Sequence, residues 1–427
     1  MILLSWIVVG IFMGPVVYFY VPVTLVVLGI RKQYFEMLLG FFLMLTLSDS
    51  REGYLFFAST VKEIYIIILA LFMLLDSKSF RPFNGITLWF IPFLVIAYVC
   101  MFNGPQDYMF NAFQKTTSYM LLLIVVPNYV QRAHLDRGKD FYKGVIFLTS
   151  AILIAGFIFR FLKPEMVYRE GRYQGILGNP NGLGIFSLLS FLFLQAGLVV
   201  YPDLLNRRNK IIVYTIILLS IILSGSRGSL FGFLIFFGFS YFYRISPFIG
   251  TAAAIILSAS FGYISANIVS IIQGLGLESY LRTETLAEGS GRFVAWQFSW
   301  QHIQESYWLG RGFEYTEHLF NIPEYVVYLQ ALGHQGNAHN SYITLWLDTG
   351  LIGLIAYLMA FFSRFFKAVR KTRIALPILF AAIFSSFFES WLTASLNPFT
   401  IQLFMILSII SSDVILTSKA TVAVPVQ

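Results

Sequence analysis

The chain has 427 residues, of which 58% are hydrophobic and 12% charged, with a formal net charge of +8. So much apolar surface with so few solvating groups excludes a soluble domain and implies an integral membrane protein. Alternating segments of about ten residues, the mark of an outer-membrane barrel, are absent, which leaves an all-α fold: a polytopic transmembrane helical bundle.

The apolar runs, each compared with the roughly 20 residues needed to cross the hydrocarbon, predict spans in chain order at 3–29, 34–48, 60–76, 84–102, 108–128, 144–161, 182–202, 210–224, 228–243, 247–269, 341–363, 374–391 and 397–415. The first contains Gly14-Pro15 and is expected to kink or break there, while the second is short, so the expectation is about 12 to 14 spans. Met1-Ile2-Leu3-Leu4 carries no basic n-region, so the first run reads as a retained span rather than a cleaved signal peptide. The division that follows is 1–269 for N-terminal spans with short loops, 270–340 for one large helical loop, 341–415 for C-terminal spans and 416–427 for a short tail.

Basic residues sit in the short loops: Arg31-Lys32, Lys78 to Arg81, Arg132 to Lys143, Arg207-Arg208-Asn209-Lys210, Arg244 and Arg364 to Arg373. Counted across single spans they fall on one side, which the positive-inside rule makes cytoplasmic. The interval 270–340 then faces outward, with 162–181, Gly225 to Arg227 and Asp49 to Glu52. The side of the N-terminus stays open, because a broken first run fits either face. In a soluble chain the net charge would suggest nucleic acid; here it sets topology and suits anionic membrane lipids, and nucleic acid is not an expected partner. Cys100 is the only cysteine, so no intramolecular disulfide or cysteine-built metal site is expected.

Candidate chemistry lies in the outward segments. In Arg169-Glu170-Gly171-Arg172 and the following Gly178-Asn179-Pro180-Asn181-Gly182, the glycines allow close approach of a ligand and Asn179 or Asn181 can cap the next helix. That helix's N-terminus favours an anion, and Arg169 and Arg172 offer paired donors to phosphate oxygens. Snorkelling interfacial arginines are the plain alternative. Ser224-Gly225-Ser226-Arg227-Gly228-Ser229 makes a tight turn in which Arg227 anchors to headgroups or binds substrate.

In the large loop, Arg292 opens an amphipathic helical stretch after Ser290-Gly291, an unfavourable place for a cation unless it meets an anion. Leu309-Gly310-Arg311-Gly312 is a glycine-flanked turn with another arginine, and Arg282 lies earlier in the same loop. For each, a solvated surface arginine is the competing reading. His339-Asn340-Ser341 directly precedes a span; histidine's unperturbed pKa near 6.5 makes it a usable base, with Asn340 or Ser341 to orient it or a substrate, whereas a cap or interfacial histidine is the bland reading. His302, His318 and His334 lack metal-ligand spacing and read as surface residues. Asp49, Glu52 and Glu389 are candidate carboxylate bases or arginine partners. The sequence has no P-loop, no zinc-protease helix motif, no G-x-S-x-G elbow and no compact acidic cluster for a divalent metal.

In order, Arg172 with Asn179-Pro180-Asn181, Ser224-Gly225-Ser226-Arg227-Gly228, Ser290-Gly291-Arg292 with Trp296, Leu309-Gly310-Arg311-Gly312, and His339-Asn340-Ser341 followed by Asp348-Thr349-Gly350 resemble the O-antigen ligase and polymerase superfamily, most strongly over about residues 165–365. Membership would imply a bacterial inner-membrane enzyme that transfers a glycan from undecaprenyl diphosphate on the periplasmic side, without a metal ion or other cofactor. Carried over residue by residue, the resemblance makes His339 the base. Arg172, or Arg169 in another register, becomes a diphosphate ligand, with Arg227, Arg292 and Arg311 as further candidates; the family usually has glycine where Arg311 stands. The acceptor implied first is a second lipid-linked glycan, as in a polymerase with its possible chain-length regulator. Next is lipid A-core, as in a ligase; protein glycosylation, a lipid-linked glycan flippase and a scaffold are further alternatives.

Overall fold

The computed structural model describes residues 2–81, 85–260, 292–334 and 336–416. The described chain is overwhelmingly helical, and its strands are confined to one two-residue hairpin, Tyr168–Arg169 paired antiparallel with Arg172–Tyr173. Among the described residues, six helices are long and apolar enough to cross a membrane: Gly53–Leu75, Gly85–Asn103, Lys139–Leu162, Pro180–Val200, Arg227–Ile245 and Ser341–Val369. Shorter apolar helices, among them Tyr34–Ser48, Ala375–Ser386 and Pro398–Ser411, pack with them. The chain is therefore a multi-pass helical membrane protein. By length and composition, six of the expected spans stand on their own. Arg282, Ser290-Gly291 and the tail from 417 lie outside the described residues.

Which apolar side chains face outward follows the same logic. Phe19, Phe161 and Phe248 are each at least 78% exposed, as suits a lipid-facing surface but not an aqueous one. Every residue of Pro398–Ser411, by contrast, is buried. This helix is the axis of the bundle, packed by Pro180–Val200, Met109–Arg137, Tyr34–Ser48 and Ser341–Val369. Lipid tails give little hydrophobic drive for helices to associate, so close packing and buried polar contacts hold them together. One such contact joins Ser190 Oγ to Gln402 Oε1 at 3.2 Å.

One expected break is present, and one predicted span stops short. Run 3–29 breaks at Gly14 (φ +52), beside Pro15, into helices Ile2–Phe12 and Val17–Ile30. Run 374–391 ends early, at Ser386, and the backbone is irregular until the Asn397 cap of Pro398–Ser411. Irregular backbone inside a membrane protein survives only where protein groups satisfy it. Here they do so closely. Leu392 N donates to Ser341 Oγ (3.2 Å), and the Trp391 and Ala394 carbonyls accept from Thr400 Oγ1 (2.8 and 2.9 Å). The Leu392 carbonyl accepts from Tyr357 Oη (3.2 Å), and the Leu396 carbonyl from Lys62 Nζ (3.1 Å).

The segment before Tyr315–Phe320 is knitted to the Ser341–Val369 helix at Gly350, whose φ of +69 interrupts that helix. Leu351 N bonds to Tyr307 O (2.9 Å) and Gly312 N to Asp348 O (2.9 Å), so backbone groups freed by the break are paired across the junction. The Asp348 carboxylate accepts from Glu314 N, Thr316 N and Thr316 Oγ1 at 2.7–2.8 Å. A β-carbon at Gly310 would run into the Asp348 backbone, and one at Gly350 into the Trp308 carbonyl. Gly350→Ala, strained and overpacked at once, is expected to cost about 2 kcal/mol or more. The readout is a lower thermal unfolding midpoint in detergent; an unchanged midpoint would show that the junction is not under this constraint.

Candidate active site

His339 and Glu389 meet at the start of the Ser341–Val369 helix. Asn340 caps that helix, its side chain accepting from Tyr342 N and Ile343 N (2.9 and 3.1 Å), so His339 is held just outside the first turn. The His339 backbone is left-handed (φ +45), a costly conformation for a residue other than glycine, and its N–H donates to Asn337 Oδ1 (2.9 Å). Trp296 Nε1 fixes the same loop through Ala338 O (2.9 Å). Ser341 Oγ donates to Glu389 O (2.7 Å), and Asn340 N donates to Ser390 Oγ (3.0 Å). Asn340 and Ser341 thus fasten the irregular 387–397 segment to the helix start.

Across this junction, His339 Nδ1 lies 3.0 Å from Glu389 Oε2. Burial pushes the Glu389 carboxyl up, but the His339 and Arg292 charges and the Asn181 hydrogen bond outweigh it and hold its pKa below the ordinary glutamate value. An ionised carboxylate only accepts, so the proton of a neutral imidazole is assigned to Nδ1 and the basic lone pair to Nε2. Because the folded-state pKa is depressed, the stability Glu389 contributes is complete above its unfolded value of about 4.3 and is lost as pH falls through the folded value. The expected result is that wild type is more stable than Glu389→Gln at neutral pH and that the gap closes on acidification. A gap independent of pH would refute the assignment of charge.

One arginine touches the other carboxylate oxygen, and two more lie behind it. Arg292, the first residue of helix Arg292–Glu305, approaches Glu389 Oε1 at 3.4 Å and stacks over the Phe388 ring. Asn181 Nδ2 donates to the same oxygen (2.6 Å), while its Oδ1 accepts from Arg172 Nη2 (2.8 Å). Arg172 is aimed by the hairpin, whose two-residue turn Glu170-Gly171 has positive φ at both positions, as a tight primed turn requires. Its guanidinium also donates twice to Ser224 O (3.3 and 2.9 Å). The turn after Ser224, closed by left-handed Gly225, delivers Arg227 at the head of the next helix. Arg227 lies within electrostatic reach of Arg292 and Arg172 and has no hydrogen-bond or ion-pair partner among the described residues.

The sequence-predicted residues therefore separate. Arg172, Arg227, Arg292, Asn181, Asn340, Ser341 and His339 come together, although Arg172 and Ser341 lie 169 positions apart in the chain. Asn179 is the helix cap, its Oδ1 accepting from Gly182 N (2.6 Å). Arg169 bonds to Gly178 O (3.4 Å) and lies near Glu170. Arg311 pairs with Glu305 (2.7 Å) and stacks over Tyr315, so neither of these two arginines contacts Glu389. Glu389 was one of three carboxylates open as a base or arginine partner; nothing local in its Phe-Phe-Glu-Ser context marks it as the hub.

No curated protein matches the chain. Residues 212–358 match the family model described as O-Antigen ligase. That stretch carries Arg227, Arg292 and His339 as well as the Gly310–Asp348–Gly350 junction, and over it the chain is similar to the O-antigen ligase family.

Proposed function

We propose that this protein is a polymerase that moves a glycan from undecaprenyl diphosphate onto a sugar hydroxyl of a second lipid-linked repeat, on the periplasmic side of the bacterial inner membrane. The observation that carries the proposal is the His339–Glu389 pair set against Arg172, Arg227 and Arg292. In the transfer, the acceptor oxygen bonds to the anomeric carbon of the donor sugar as the bond from that carbon to the diphosphate oxygen breaks. The hydroxyl proton passes to His339 Nε2, and undecaprenyl diphosphate leaves with the bonding electrons. Glu389 is a positioning residue: it fixes the imidazole tautomer and steadies the imidazolium as it forms. The arginines face the negative charge that grows on the leaving diphosphate, where preorganised donors act most strongly. Asn179 completes the setting as a cap that aims the Pro180–Val200 helix N-terminus at the same region.

The matched family description supports a second reading, ligation of the glycan to lipid A-core. Both readings use the same donor chemistry and differ in the acceptor. Reconstitution of the purified protein with undecaprenyl-diphosphate glycan, offering a second lipid-linked repeat or lipid A-core in parallel, separates them. A ladder of lengthening lipid-linked products is the expected result. Transfer onto core alone would replace polymerase by ligase, and movement of the donor across the bilayer without transfer would overturn both.

A further inference from the structure

A cavity of about 440 Å³, within the range of small-ligand sites, opens beside the His339 loop. Gly336, Asn337 and Ser390 line it, while Arg172, Arg227 and Arg292 do not. The His339 ring turns its Nε2 edge toward Gly336, where a β-carbon would lie 3.2 Å from that nitrogen. The edge assigned as basic thus faces the cavity rim, and the opposite edge is held by Glu389.

Most residues that line the cavity are polar, and their formal charges balance. Two cations and two carboxylates line it: Lys62, Lys115, Glu314 and Glu317. Lys115 Nζ lies 2.7 Å from Glu314 and 3.6 Å from Glu317. Burial pushes the Glu314 carboxyl up, yet the Lys115 ammonium and the Ser395 N–H bring it net below the usual range, so it stays ionised. Glu314 is also strained, with φ +61, and it is held so by its N–H bond to Asp348. Leu396, whose carbonyl receives Lys62, is a second left-handed residue on the wall. Strain of this kind persists where the surroundings over-determine it, commonly at ligand clamps. Its effect here is to present paired charges and carbonyls, groups that can serve hydroxyls as donors and acceptors, with no surplus of charge for a phosphate.

We infer that this cavity is the acceptor subsite and that it takes an uncharged sugar unit, placing one of its hydroxyls at His339 Nε2 from the side away from the arginines. The inference rests on the transfer reading above and names its acceptor chemistry: an uncharged sugar of a repeat unit suits the cavity, and the phosphorylated head of a core lipid does not.

Sugar binding can be read without donor or turnover. Saturation-transfer NMR on the full chain in nanodiscs would compare methyl glucoside and N-acetylglucosamine with glucuronate and glucose 6-phosphate. The uncharged pair should bind, and the anionic pair should not. Glu317→Lys, at an exposed position of the rim, should reverse the order by roughly fivefold for each sugar class. Arg172→Ala should leave sugar binding as it is. Binding by none of the four sugars, preference for the anionic ones in wild type, or equal profiles in Glu317→Lys and wild type would each overturn the subsite. Sugar binding by a protein that transfers no glycan would instead overturn the transfer reading and leave the cavity standing.

Discussion

His339→Asn should lower glycan transfer by about a hundredfold to ten-thousandfold, the range for loss of a positioned general base. Asparagine is the informative replacement because it tolerates the left-handed backbone found at this position, whereas alanine adds strain to the loss of the ring. The Asn337 and Trp296 side chains hold the loop by its backbone, at His339 N and Ala338 O, so the folded site should survive the change. Donor binding through the arginines should persist while turnover collapses. The comparison to make is turnover against donor affinity in purified, correctly inserted protein, and near-normal turnover in His339→Asn would remove the base role from His339.

The second large effect is expected at the arginines. Removing a single preorganised donor to developing negative charge commonly costs about a hundredfold to a thousandfold in turnover. Arg227→Ala should fall in that range, since Arg227 has no protein partner to satisfy among the described residues and its removal leaves none stranded. Arg292→Ala should weaken turnover and also loosen Glu389, because it deletes a neighbour of that carboxylate. Arg227→Lys keeps the charge but not the planar fork and should recover only part of the loss. Arg311→Ala, at the Glu305 pair, should leave donor affinity near wild type. Unchanged donor affinity and turnover after alanine replacement of Arg227 and Arg292 together would defeat the diphosphate role.

The helical membrane class was legible because composition and run length speak to it directly. The gathering of Arg172, Arg227, Arg292 and His339 was legible as a set of charged islands beside glycines at the ends of apolar runs. What those islands do to one another was not. The pairing of Glu389 with His339 depends on helix Ala375–Ser386 stopping five residues before the apolar run ends, and hydropathy cannot register a break whose backbone is satisfied by buried hydroxyls. Arg311 shows a different limit of local reading. The glycines flanking it signal close backbone approach, and that approach is to Asp348 and its neighbours rather than to a ligand. Lys62, Lys115 and Glu314 attracted no attention because they sit singly, in different segments, and meet only in the folded chain.

The buried axis of the bundle has a consequence for biogenesis. Pro398–Ser411 leaves the ribosome after every helix that surrounds it, and the irregular segment bearing Glu389 is anchored to it through Thr400. Early helices can insert and pack as they are made, but the carboxylate that orients His339 reaches its place only when this late helix enters a slot already walled by its neighbours. Under the proposed mechanism, a nascent chain able to gather Arg172 and Arg227 near the membrane would still lack an oriented base, and competence would arrive with the insertion of the axial helix.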